Sequence, residues 1–200
     1  MLFTYREQYT APTSRLAQLV RKLWVMDNAR SPEPFSSKTV LPNSCFNLAL
    51  VSGAGMDVHN RRGPLAMPEG LYFCGQARLS VDTLIRPFTS VTMVQLHPWA
   101  LAQLTTASLA DTADAIVPLS TVLPALAQVL HTVLGQPEDE VLTLLHAQLP
   151  QVALAAELRW SGKNGHGESN FPLSWKQKNQ LANGLKPSMM QTFGPRRYAV

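Results

Sequence analysis

The stretch Val94-Gln-Leu-His-Pro-Trp-Ala-Leu-Ala-Gln-Leu104 ends one kind of structure and begins another. Up to Leu96 the chain alternates, with Val91, Met93 and Gln95 set against Thr92, Val94 and Leu96, which is the two-residue period of a strand. Pro98 has no N–H to give to a sheet ladder, and its fixed φ suits the first turn of a helix. A change from strand to helix is therefore expected at His97-Pro98-Trp99. Moving back from that corner, Val81, Thr83 and Ile85 alternate in the same way, and Leu71 to Cys74 is a short strand stopped by Gly75-Gln76. Phe46 to Val51 is a continuous apolar strand that follows Pro42-Asn43-Ser44 and ends at Gly53 and Gly55.

Two segments between these strands read as connections: Asn28 to Lys38, with two prolines and three serines, and the polar run from Met56 to Glu69. Nearer the N-terminus, Phe3, Tyr5 and Tyr9 belong to an extended piece. Leu16, Leu19, Val20, Leu23 and Trp24 then fall on one stripe of an amphipathic helix starting near Pro12-Thr13-Ser14. Several short strands with Gly and Pro between them, and no intervening helices, predict an antiparallel sheet or barrel. Past the corner, Ser120 or Thr121 can cap a helix bearing Val122, Leu126, Val129, Leu130 and Val133, closed by Gly135. Pro137 and the acids Glu138 to Glu140 open another, carrying Val141, Leu144, Leu145 and Leu149, with Pro150 ending or kinking it. Each helix has one apolar face, which the β module or a second subunit must cover. The fold class expected is α+β: an antiparallel β-barrel or sheet, a C-terminal helical hairpin, and a poorly ordered basic tail. Residues 1–150 form the main domain and residues 151–200 the tail.

The formal net charge of +4 is concentrated at one end. Residues 1–150 hold ten lysines and arginines against eleven acids, whereas residues 151–200 hold seven against two. Such asymmetry fits either a polyanion-binding arm or a solvated end. No segment has the roughly 18 uncharged apolar residues of a membrane span, and the first residues do not form a signal peptide. Neither a membrane nor a secreted location is expected. Cys45 and Cys74 lack C-x-x-C spacing and suit a reducing cytoplasm as small buried hydrophobes.

Signs of chemistry are few. The five histidines, His59, His97, His131, His146 and His166, form no metal-ligand pair, so no metal and no cofactor are expected. There is no nucleophile elbow and no phosphate loop, and no catalysis is expected. Asp111 and Asp114 suit a turn or cap. The β-rich part contains the aromatics Tyr72, Phe73, Phe88 and Trp99 and the embedded polar residues Asn47, Gln76, Arg86 and Gln95. In a closed sheet such residues make either ordinary core or the wall of a small-molecule pocket. Arg86 is the hardest to place in a core, because a buried guanidinium needs an anionic partner.

Five stretches together resemble the N-terminal domain of a group of AraC-type bacterial transcriptional regulators. They are the set Tyr5, Pro12, Leu16, Leu19, Val20 and Trp24; Val40 to Leu48; Gly75-Gln76; Leu96 to Ala100; and Leu109 to Leu119. The resemblance spans residues 3–150. It implies a cupin-like β-barrel that senses a small effector near Arg86, Gln95 and Trp99, and a dimer seam on the helices 120–149, pairing two copies or a copy with a related regulator. The group follows this domain with a DNA-binding unit of about a hundred residues, whereas fifty remain here. Leu173 to Gln177 and Gly184 to Ser188 faintly resemble parts of a helix-turn-helix. Lys176, Lys178, Lys186, Arg196 and Arg197 are then candidates for weak, non-specific phosphate contact. The resemblance thus implies a regulator cut short before an intact helix-turn-helix, or a stand-alone protein that dimerises with full-length regulators.

Overall fold

The computed structural model describes residues 3–11, 14–40, 42, 44–60, 63–105 and 112–163. Among them ten strands make two antiparallel sheets. The larger contains β1 (Thr4–Tyr9), β2 (Val20–Asn28), β4 (Phe46–Gly53), β7 (Gly70–Cys74), β9 (Thr89–Leu96) and β10 (Ile116–Pro118), in the order β1-β2-β9-β4-β7-β10. The smaller contains β3 (Phe35–Val40), β5 (Met56–Asn60), β6 (Gly63–Met67) and β8 (Val81–Ile85), in the order β3-β8-β5-β6. Among the described residues, helix α1 (Ala100–Leu104) lies between β9 and β10, and helices α2 (Leu119–Val122), α3 (Pro124–Leu130) and α4 (Glu138–Lys163) follow β10. The class is α+β, with an antiparallel β module ahead of a helical part, as the sequence leads one to expect.

The larger sheet is covered on both faces, and the alternation of each strand sorts its residues between them. Phe46, Leu48 and Leu50 of β4, with Val94 and Leu96 of β9 and Phe73 of β7, face the helices. Leu101, Leu119, Leu126, Leu130, Val141 and Leu145 complete that core from the helix side. The opposite face carries Met26, Ala49, Val51 and Val91, which meet Met56, Val58, Met67 and Ile85 of the smaller sheet. Of the two covers expected for the apolar faces of the helices, the β module or a second subunit, the chain's own sheet is the one present.

The corner at His97 is fixed by hydrogen bonds as well as by its proline. Ala100 N donates to His97 O at 3.0 Å, closing a turn with Pro98 and Trp99 at its centre, and α1 begins only at Ala100. His97 N donates to Leu19 O at 2.9 Å, and Trp99 Nε1 donates to Gln18 O at 2.9 Å. His97 Nε2 lies 3.1 Å from Ala17 O, a group that can only accept, so Nε2 carries the hydrogen. The imidazole stacks on Trp99, and burial holds it below its ordinary pKa of 6.5. The strand-to-helix switch is thus fastened to the turn before β2.

Four expectations need correction. The amphipathic helix from Ser14 is a single 3₁₀ turn, Arg15–Gln18, capped by Ser14 Oγ accepting from Ala17 N; Val20 onward is a strand. β2 lies between β1 and β9, and a register shift between Val20 and Lys22 sets Val20 and Leu23 on the same face, a three-residue spacing that mimics a helical stripe. Segments 28–38 and 56–69, read as connections, supply β3 and the β5–β6 hairpin. Both β3 and β6 are edge strands, and Pro64 is tolerated in β6 because an edge leaves one row of N–H groups unpaired. The helix expected from Ser120 starts at Leu119 and breaks at Leu123, whose φ of −136° and ψ of 67° avoid a clash with Pro124. Helix α4 continues through Pro150 to Lys163. Of the tail expected to be poorly ordered, residues 151–163 lie in this helix; residues 164–200, with the basic Lys176, Lys178, Lys186, Arg196 and Arg197, lie outside the described residues, as does Asp111.

Candidate functional site

Between the two sheets lies a cavity of about 490 Å³, and the register of the larger sheet explains its lining. Lys22 stands opposite Gln95, Gln95 opposite Asn47, and Asn47 opposite Cys74, so one polar row crosses four strands on the inner face. The next row inward, Trp24, Met93 and Ala49, is apolar apart from the indole N–H. From the smaller sheet Met56 and Val58 alternate on β5, and Val81 and Thr83 on β8. Phe3 stacks on Phe35 with ring centroids 3.5 Å apart, joining the start of the chain to the smaller sheet at the cavity wall. Leu79, half-exposed, sits at the rim. The cavity therefore has a polar side and a methionine-rich apolar side.

The charges around it are paired. Glu7 accepts from Lys22 Nζ at 2.7 Å and from the Tyr5 hydroxyl, and these bonds hold its carboxyl below the usual range. Lys22 Nζ also lies 5.1 Å from the Trp24 ring centroid. Asp114, in a left-handed turn with φ 54°, accepts from Arg78 N at 2.8 Å and from Arg78 Nε at 2.7 Å. That is the turn role expected of it. Burial pushes the Cys74 thiol up to about 12, so it is protonated at neutral pH, and neither cysteine forms a disulfide.

Two buried atoms on the cavity wall, Asn47 Oδ1 and Thr83 Oγ1, have no hydrogen-bond partner among the described residues. Thr83→Val is therefore expected to raise stability by about 1 kcal/mol in urea titration, since it removes an unsatisfied hydroxyl and keeps the shape. Thr89→Val serves as the contrast. Its hydroxyl donates to Gly55 O at 3.1 Å, and its loss should cost about 1 kcal/mol.

Of the three residues expected to bind an effector, the structure places one at the cavity. Gln95, 2% exposed, faces it. Arg86 has its anionic partner, but on the solvent side of the smaller sheet: Nε and Nη2 clasp the Asp57 carboxylate at 3.0 and 2.5 Å, and Nη1 donates to Ala54 O. Trp99 is 46% exposed beside the 3₁₀ turn. The other aromatics also fall elsewhere, with Phe73 in the helix-side core and Phe88 exposed at a turn. The rings that line the cavity are Phe3, Tyr5, Trp24 and Phe35. Their signal is the i, i+2 spacing of Lys22, Trp24 and Met26, which is concealed when β2 is read as a helix.

Asp57 also sets a pH dependence. Arg86 holds its carboxyl below the ordinary 3.8, so the stability it lends is present above that value and lost as pH falls through the folded-state value. Asp57→Asn is expected to cost about 1 kcal/mol at pH 7, since both groups remain partly in water. The difference from the parent should shrink below about pH 4, as read by urea midpoints across pH.

Residues 8–118 match the family described as a domain of unknown function, DUF6597. The chain belongs to that family. The matched span of the family runs from the end of β1 through β10 and so includes both sheets and most of the cavity wall. Among solved structures, the chain is similar to a cupin domain from Bordetella pertussis at 11% identity, covering 48% of this chain and 93% of that one, with a TM-score of 0.32. It is also similar to the AraC-like transcriptional activator CuxR at 12% identity, covering 92% of this chain and 73% of that one, with a TM-score of 0.36. No curated protein sequence matches the chain.

Proposed function

We propose that the β module is the small-molecule sensing domain of a transcription regulator of the AraC type. The observation that carries this reading is the cavity of about 490 Å³ between the sheets, with Asn47 Oδ1 and Thr83 Oγ1 buried and unpartnered on its wall. Interiors otherwise pack with few voids, whereas ligand sites are mostly apolar spaces of this size with a few placed polar groups. The regulator setting draws its support from the five sequence stretches between Tyr5 and Leu119. A binder fits better than a catalyst, because Lys22 and Asp114 are engaged by Glu7 and Arg78 and the Cys74 thiol stays protonated. Pairing with a second copy or a related regulator would use surfaces other than the helix stripe, which is buried within the chain. The basic residues of the C-terminal segment would add salt-sensitive phosphate contact without base readout.

The test is the fluorescence of N-phenyl-1-naphthylamine, an uncharged apolar probe, added to the whole chain. Saturable enhancement is expected, and Ala49→Phe, which projects a ring into the cavity from β4, should abolish it while the circular dichroism stays unchanged. Enhancement that survives Ala49→Phe would place the probe elsewhere and remove the reading.

A further inference from the structure

The polar side of the cavity presents neutral groups. Among the described residues its lining holds one basic side chain and one carboxylate, Lys22 and Asp114. Each already has a counter-ion: Lys22 Nζ lies 2.7 Å from Glu7 Oε1, and Asp114 Oδ2 lies 2.7 Å from Arg78 Nε. Among the described residues an anion entering here would find no uncompensated cation, and a cation no uncompensated anion, so either would lose its hydration without replacement from them. What faces the space instead is amide and hydroxyl. Asn47 and Gln95 are register partners on adjacent strands, and Thr83 comes from the other sheet.

The unpartnered atoms narrow the choice further. A carboxamide oxygen only accepts, so Asn47 Oδ1 calls for a donor, whereas the Thr83 hydroxyl can donate or accept. Beyond this row the wall is thioether and hydrocarbon, from Met26, Met56, Met67, Met93, Ala49 and Val58. Methionine side chains adapt to the shape of an apolar or aromatic body and make favourable contacts with rings.

We infer that the cavity takes an uncharged amphipathic small molecule. Its apolar body lies among the methionines, and its polar end brings a hydrogen-bond donor to Asn47 and an accepting or donating atom to Thr83. Primary amides, alcohols and neutral N–H heterocycles have this chemistry; carboxylates, phosphates and ammonium ions do not. The inference rests on the sensing role proposed above and specifies what is sensed.

Four probes sharing one ring system separate the two ideas: 1-naphthaleneacetamide, 1-naphthaleneacetate, 2-(1-naphthyl)ethylammonium and the headless 1-methylnaphthalene, each titrated calorimetrically into the whole chain at pH 7. The amide is expected to bind at least about tenfold more tightly than either ion. Asn47→Leu should weaken the amide about tenfold and leave 1-methylnaphthalene unchanged. An ion that binds within about threefold of the amide overturns the inference while leaving the cavity a ligand site. Equal weakening of amide and 1-methylnaphthalene by Asn47→Leu overturns the role given to Asn47. If none of the four binds, the sensing role falls and this inference with it.

Discussion

Phe46→Ala is expected to cost about 3–5 kcal/mol, the range for emptying a fully buried aromatic site. Phe46 opens β4 opposite Leu96, is fully buried, and has its ring centroid 5.8 Å from that of Phe73. Around it the larger sheet meets α1, α3 and α4, so the void would open where two layers join and neither can close it alone. A domain of this kind has about 5–15 kcal/mol in total, so the variant should stand near the edge of folding. Urea titration at 25 °C gives the number, with an unchanged slope if the native state remains compact. A loss below about 1.5 kcal/mol would mean that the helices do not pack on the sheet at this point. The comparison with Ala49→Phe is instructive, since residues 46 and 49 share one strand yet face opposite layers. Removing a ring from the helix side should cripple the fold, whereas adding one on the cavity side should leave the fold intact and fill the ligand space.

Gly75→Ala should do damage of a different kind. A Cβ at residue 75 would stand 1.6 Å from Thr112 O and 2.7 Å from Thr112 C, backbone atoms that no rotamer change can move. The segment 112–115 would have to withdraw. With it would go the bond from Gly75 N to Ala115 O at 2.8 Å, that from Asp114 N to Gln76 O at 2.9 Å, and the grip of the Asp114 carboxylate on Arg78. The pairing of β10 with β7 begins one residue further on, Ile116 opposite Cys74, and is the next contact at risk. A loss of about 3 kcal/mol, at the top of the overpacking range, is expected in urea titration. Because Gly75, Asp114 and Ala115 all line the cavity, retention of N-phenyl-1-naphthylamine should fall even under conditions where the variant stays folded. Full probe binding by a destabilised Gly75→Ala protein would show that this end of the cavity contributes nothing to holding a ligand.

Four of the strands were legible in the chain. Phe46 to Val51, Leu71 to Cys74, Val81 to Ile85 and Val91 to Leu96 combine apolar or alternating residues with Gly and Pro stops, and each is a strand in the structure. The edge strands β3 and β6 were not, because an edge tolerates polar residues and even Pro64, which alone read as a connection. β2 was misread for another reason: a register shift between Val20 and Lys22 sets Val20 and Leu23 on one face, three residues apart as on a helix. Gln95 was recognised as a polar residue inside the β module and does face the cavity, whereas Arg86 and Trp99, chosen on residue type, lie on outer surfaces.

What the chain settled by itself is local: where strands alternate, where Pro98 forbids their continuation, and where charge gathers along its length. Short-range sterics and side-chain period govern all of these, and they need no partner. The cavity was decided by the fold. Lys22, Asn47, Thr83 and Gln95 are scattered over more than seventy residues, and only the pairing order β2-β9-β4 and the approach of the second sheet set them around one space. Strand register is fixed by burial across the whole sheet, so no single strand states which of its neighbours it will face.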